Sequence, residues 1–362
     1  MTMLLTDKNR LHDFYSDNRK WQGIPGIERT KKGRIFATFY SGGVTEELGN
    51  YCLLVTSDDD GRTWSEPVAV AYKGDDYRCY DPCLWIDPLG RLWFIWSVMP
   101  EHAVWASVCD NPDAEELVWS TPRIIGNDIM MNKPTVLSGG EWLFPIAIWN
   151  TGVHVVPGAV SHDELRRSFV YRSTDNGQHF TRIGGADVPE RTFDEHMVLE
   201  LKDGRLLMLV RTAYGIGRSY SSDRGVSWTP GEDSGIKGPN SRFFIRRLRS
   251  GNILLINHHN FSGRNNLTAM LSRDECRTWE GFLMLDERQS VSYPDAVETD
   301  DGVIYAVYDR ERGAMYSNDV VPGQQAREIL MARFTERDIL AGKIIDKNSA
   351  LKITVSRLGG IS

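Results

Sequence analysis

The sequence has no apolar run near the roughly 18 residues that a membrane-spanning helix needs, so no membrane partner is expected. It also has no basic tract. Lys and Arg number 42 against 49 Asp and Glu, interspersed to a net charge of -7, which leaves no electrostatic footprint for a phosphate backbone and removes nucleic acid from the expected partners. The opening MTMLLTDKNRLHDFYSDNRKW passes from a short apolar patch straight into charges and lacks the apolar core of a secretory signal, so a cytoplasmic setting is expected. Cysteine is scarce and odd in number. Cys52, Cys79, Cys83, Cys109 and Cys276 are scattered, which fits reduced thiols, and the CxxxC spacing of Cys79 and Cys83 has no second pair to make a zinc site. His258 and His259 form a rim pair without a third ligand, so neither a metal nor a cofactor is expected. Helical patterning is scarce as well: only TERDILAG, Thr335 to Gly342 with Thr335 as N-cap, reads as a helix.

What is present is a repeat. An apolar β-rich run, a turn ending in Gly and a second apolar run recur six times: IPGIERTKKGRIFATFY, DPCLWIDPLGRLWFIW, NKPTVLSGGEWLFPIAIW, DEHMVLELKDGRLLMLVR, SRFFIRRLRSGNILLINH and YPDAVETDDGVIYAVYD. Each reads as a β-hairpin whose Gly takes the positive φ that the turn requires. The turn glycines, Gly33, Gly90, Gly140, Gly204, Gly251 and Gly302, are spaced by the length of a four-stranded propeller blade. The expected fold is therefore all-β, a six-bladed β-propeller of four-stranded antiparallel blades, forming one domain over residues 1–362.

A second repeat lies between the hairpins: SDDDGRTW (57–64), STDNGQHF (173–180), SSDRGVSW (221–228) and SRDECRTW (272–279). The four share Ser-x-Asp and a terminal aromatic, and in the fourth Glu275 is expected in place of the Gly. These motifs resemble the Asp-box of the sialidase superfamily, a turn in which Ser and Asp bond the loop backbone while the aromatic packs beneath it. The resemblance implies a propeller and, by itself, no activity.

In a propeller the first strand of each blade lines the central channel, so equivalent positions ahead of each turn Gly converge. Nine residues before the Gly stand Ile24, Asp81, Glu195, Arg242 and Tyr293, with Asn132 and Lys133 at the start of the shorter third blade. Packing alone would select apolar residues for a buried channel; two carboxylates, two cations and a phenol there point to a site.

The likeness to sialidases extends to these segments. DEHMVLELKDGRLLMLVR resembles the one that carries the Glu of the Tyr/Glu pair and then an arginine of the carboxylate clamp, which implies Glu195 as base and Arg211 as clamp. GRNNLTAMLSRDECRTW implies Arg264 as a second clamp arginine, and Tyr293 stands where that family keeps its nucleophile. The first clamp arginine is replaced here by Gly23, and Arg242 is expected to substitute from another blade, with Lys133 or Arg78 as alternatives. Glu46, in the loop SGGVTEELGNY, is the first expectation for the acid and Asp81 the second. Asp295 and His196 flank the pair, acting directly or orienting Tyr293 and Glu195. A phenol suits this chemistry, because an anomeric carbon that bears a carboxylate repels an anionic nucleophile. The resemblance thus implies a retaining exo-glycosidase that releases a terminal acidic sugar. The alternatives are a hydrolase or lyase-like enzyme for a different acidic or deoxy sugar, and a carbohydrate-binding propeller without turnover.

Overall fold

A computed structural model describes residues 3–127, 129–149, 166–312 and 326–358. Its strands form six antiparallel sheets arranged as a six-bladed β-propeller. The blades begin with strands Trp21–Arg29, Arg78–Ile86, Thr135–Val136, Met197–Glu200, Phe244–Arg247 and Val291–Glu298, and each continues outward through three more strands in chain order. Blade 1 has a fifth, outermost strand, Met3–Leu5, which covers the edge that strand Ala69–Tyr72 would otherwise leave open.

The six turn glycines all adopt positive φ, from 81° at Gly302 to 107° at Gly33, and each donates its N–H to the carbonyl three residues earlier. An L side chain would be strained there, which is why Gly recurs. The apolar faces of neighbouring sheets pack against each other. Ile35, Phe39 and Val55 of blade 1, for example, meet Val307, Ile329 and Met331 of blade 6. That seam carries no strand exchanged between the first and last blades. It is held by packing and by bonds from Gln22 Nε2 to the carbonyls of Arg327 (2.6 Å) and Ser356 (3.2 Å), and from Arg327 to the Lys20 carbonyl (2.8 Å).

All four Asp-boxes fall between the third and fourth strands of their blades, far from the axis. In each, Ser Oγ bonds the Asp carboxylate and accepts a backbone N–H, as in Ser57 with Asp59 and Gly61. Hydrogen bonds to side-chain and backbone donors of the turn pull Asp59, Asp223 and Asp274 down to about 2. In the fourth box it is Cys276, at φ 66°, and not Glu275, that replaces the glycine: its N–H donates to Ser272 Oγ just as Gly61, Gly177 and Gly225 donate in theirs. Glu275 instead pairs with Arg247 of its own blade. The five cysteines are free thiols. The helix forms as read, Glu336–Ala341 with Thr335 and Asp338 in a capping box and Gly342 left-handed at its end.

Candidate active site

A shared backbone irregularity presents the axial residues. In blades 1, 2 and 6 the innermost hairpin gains one residue, at Ile24-Pro25, Asp81-Pro82 and Tyr293-Pro294. Ile24, Asp81 and Tyr293 take φ of 56°, 49° and 56°. A bulge turns the side chain out of the pleat, and Pro suits the next position because the ladder there needs no N–H. Blade 4 reaches the same result through three successive left-handed residues, Phe193, Asp194 and Glu195. Such conformations cost on the order of 1–3 kcal/mol each and persist where the surrounding packing enforces them.

Ile24, Asp81, Glu195 and Tyr293 line a cavity of about 260 Å³ together with Glu46, Arg78, Trp149, Phe193, Arg211, Arg264 and Arg312. Tyr293 Oη donates to Glu195 Oε1 at 3.0 Å, and Arg211 Nη1 donates to both, at 2.6 Å to the carboxylate and 3.0 Å to the phenol oxygen. Arg264 and Arg312 lie over the Tyr293 ring, 5.3 and 4.6 Å from its centroid. Burial, and then the Glu195 charge, push the phenol pKa up, while the three guanidiniums pull it back. Asp81 is raised to about 8, chiefly by burial, which prevails over the pull of Arg78 while the charges of Glu46 and Glu195 add to it, so it carries its proton at neutral pH. Four guanidiniums, of Arg78, Arg211, Arg264 and Arg312, thus face the three carboxyls of Glu46, Asp81 and Glu195. Trp149 meets Phe193 edge-on at 5.1 Å and gives it an apolar wall. A wider cavity, about 830 Å³, opens at the opposite mouth among turn residues such as Gly90 and Asp301; the phenol and its partners converge on the smaller one.

Glu195, Tyr293, Arg211, Arg264, Asp81 and Glu46 therefore meet in one place. Arg242, Lys133, Asp295 and His196, expected beside them, do not line this cavity. Arg242 is spent on Asn132 Oδ1 (2.7 Å) and on the carbonyls of Met131 (2.9 Å) and Pro25 (3.1 Å). Lys133 Nζ donates to Glu28 and to the carbonyls of Ile27 and Leu84, and lies 3.2 Å from Asp295. Asp295 also accepts the Ile27 N–H. These groups form a buried ionic plug that ties blades 1, 2, 3, 5 and 6 together. The correction has a physical cause: strand starts that are equivalent in sequence lie at different depths along the axis, and a cation placed below the pocket satisfies buried carbonyls and carboxylates. His196 donates Nε2–H to the Phe169 carbonyl at 2.6 Å, and burial lowers it to about 4. His258 is fully buried against the Asn265 carbonyl, and His259 stacks on Phe282.

A further arginine, not expected from the sequence, enters the cavity beside Gly23: Arg312. A Cβ added to Gly23 would lie 2.2 Å from Arg312 Cδ and 2.5 Å from Cγ, so the glycine is the passage through which the blade-6 arginine reaches the pocket. Its signal was present in the sequence: Arg312 follows the second strand of blade 6 as Arg211 stands next to the end of the second strand of blade 4, at the same mouth. Asn240 was missed as well. Its Oδ1 accepts from Arg211 Nε (2.6 Å) and its carbonyl from Arg211 Nη2 (3.1 Å) and Arg264 Nη2 (3.0 Å), which joins two of the arginines. Among the described residues no group of three or more His, Cys, Asp or Glu is arranged to hold a metal ion.

A family model described as BNR repeat-like domain matches residues 33–306. The chain belongs to that family. The six blades and the four Asp-boxes agree with that membership. A search of curated proteins finds no match. Among solved structures, this BNR repeat-like propeller is similar to a Dyadobacter fermentans protein of unknown function, at 17% identity and a TM-score of 0.63 over 82% of this chain and 92% of that one. It is similar to the intramolecular trans-sialidase of Ruminococcus gnavus, solved with oseltamivir carboxylate, at 14% identity and a TM-score of 0.63 over 91% and 97% of the two chains. It also resembles an α-L-arabinanase of Penicillium chrysogenum solved with arabinobiose, at 13% identity and a TM-score of 0.57 over 88% and 94%. The fold is that of a glycosidase-like propeller.

Proposed function

We propose that this propeller is a retaining exo-glycoside hydrolase for a sugar that carries a carboxylate. The observation that carries the reading is the 3.0 Å Tyr293–Glu195 hydrogen bond inside a cavity ringed by four arginines. Tyr293 Oη attacks the anomeric carbon as its proton passes to Glu195, and the glycosidic bond breaks as Asp81 protonates the leaving oxygen. Asp81, then ionised, takes a proton from the water that attacks the tyrosyl glycoside, and Glu195 returns its proton to the departing phenol oxygen. Arg211, Arg264 and Arg312 hold the sugar carboxylate and lessen the charge that builds on the phenol. Asp81 suits the acid role better than Glu46, because Glu46 is the shared counterion of Arg78 (2.5 Å) and Arg312 (3.3 Å). The cavity volume, near the lower end of the usual range for ligand sites, suits one terminal ring.

The test is Tyr293→Phe, assayed on a panel of acidic aryl glycosides, with α-sialosides and uronides included, and followed by NMR for the released anomer. The expected result is loss of nearly all turnover in the variant with an unchanged melting temperature, and a first-formed product of retained configuration from the wild type. Undiminished turnover in the variant would refute the assignment.

A further inference from the structure

The clamp already contains a carboxylate of its own. Glu46 places Oε1 3.3 Å from Arg312 Nη1 and Oε2 2.5 Å from Arg78 Nη2, and its side chain is largely buried in the cavity wall. The surrounding charges give a reason. Arg211, Arg264 and Arg312 crowd one phenol, and Glu195 neutralises the first of them. Arg312 draws on Glu46 and, at 3.5 Å, on Asp309 behind it. A ligand carboxylate that reaches Arg312 meets Glu46 on the same guanidinium, where two anions repel.

The two sides of this contact differ in how firmly they are held. Arg78 stays in place without Glu46, because it also donates to Tyr40 Oη (2.8 Å) and lies over the Tyr80 ring at 4.5 Å. Glu46 rides on a loop that leaves its strand at Gly42-Gly43 and is tied by its backbone to the next blade beyond the tip, where Gly49 N–H meets the Tyr77 carbonyl (2.8 Å) and the Asn50 carbonyl accepts Cys79 N–H (3.0 Å). Among the described residues, the backbone hydrogen bonds of the tip stay within the loop: Val44 N–H to Glu47 Oε1 (2.9 Å) and Glu47 N–H to Asn50 Oδ1 (2.7 Å). Val44 and Leu48 are exposed.

We propose that Glu46 determines specificity as a built-in competitor: it fills the anion seat on Arg312 before substrate binds, is displaced by the substrate carboxylate, and carries the 43–48 loop with it. Neutral sugars have no charge with which to make that exchange. The inference rests on the reading of a carboxylated sugar as substrate.

The experiment compares wild type with Glu46→Gln in two measurements. Calorimetric titration with N-acetylneuraminic acid, D-glucuronic acid and the methyl ester of each should show the variant binding whichever acid the wild type binds about tenfold more tightly, as expected from removing one close charge pair, with ester affinity unchanged. Hydrogen exchange of the 43–48 amides, measured without sugar, should be faster in the variant. Unchanged exchange together with unchanged acid affinity would overturn the inference, and so would weaker acid binding, which would make Glu46 a direct ligand contact. Faster exchange with no acid bound by either protein would instead bring down the carboxylated-sugar reading, and the displacement with it.

Discussion

Asp81 offers a test of the site that needs no substrate. Its carboxyl titrates from 3.8 in an ordinary setting to about 8 in the folded protein, chiefly through burial. Because the folded value is the higher one, its contribution to stability is complete below pH ~4 and is lost as the pH rises through about 8. Each pH unit between these limits costs about 1.4 kcal/mol, so the folded protein carries a penalty of roughly 4 kcal/mol at pH 7 relative to acid conditions. Asp81→Asn keeps the shape and removes the titration. The buried amide adds an offset, but a constant one, so the stability difference between variant and wild type should grow in the variant's favour by roughly 3 kcal/mol between about pH 5 and 7.5. Urea unfolding of both proteins across that range measures it. A difference that stays constant would mean that Asp81 titrates as an ordinary carboxyl, and the acid assignment would fall. The same variant should lose about 10²–10⁴-fold in turnover, least with an activated aryl leaving group that needs no proton, and wild-type turnover should decline above about pH 8.

Arg264→Ala should weaken binding of a carboxylated sugar by about tenfold or more while leaving its uncharged methyl ester unaffected, as read by calorimetry; equal loss for both would refute the clamp. Gly23→Ala puts a methyl against Cδ and Cγ of Arg312, so it should displace that side chain and lower the affinity for the same acid, as calorimetry would read. Lys133→Met strands Glu28 and Asp295 in the plug, and chemical unfolding should show a loss of about 3–5 kcal/mol. A loss below about 1 kcal/mol would contradict the structural role of that cluster.

Much of this was legible from local signals. The turn glycines, the Ser-x-Asp boxes and the cap at Thr335 are each satisfied within a few residues, so their sequence spacing is also their geometry. The second-strand position that reveals Arg312 was readable too, but only after the hairpin was known to return to the same mouth. The glycine of the fourth box was misplaced by one residue because Cys276 tolerates a left-handed conformation that Gly normally marks.

By itself the sequence determined the number of blades and the axial strand starts that include Tyr293 and Glu195, because these depend on periodicity along one hairpin, while Arg211 and Arg264 were implied only by the resemblance of their segments to those of sialidases. Only the tertiary structure decided which charges serve the pocket and which seal the channel beneath it. Arg242, Lys133 and Asp295 are consumed by partners on other blades, Arg312 enters through the space left by Gly23, and Asp81 keeps its proton because burial outweighs its arginine neighbours. Depth along the axis and the sum of charges around a buried group arise only where six blades meet, and no interval between residues in the chain encodes either.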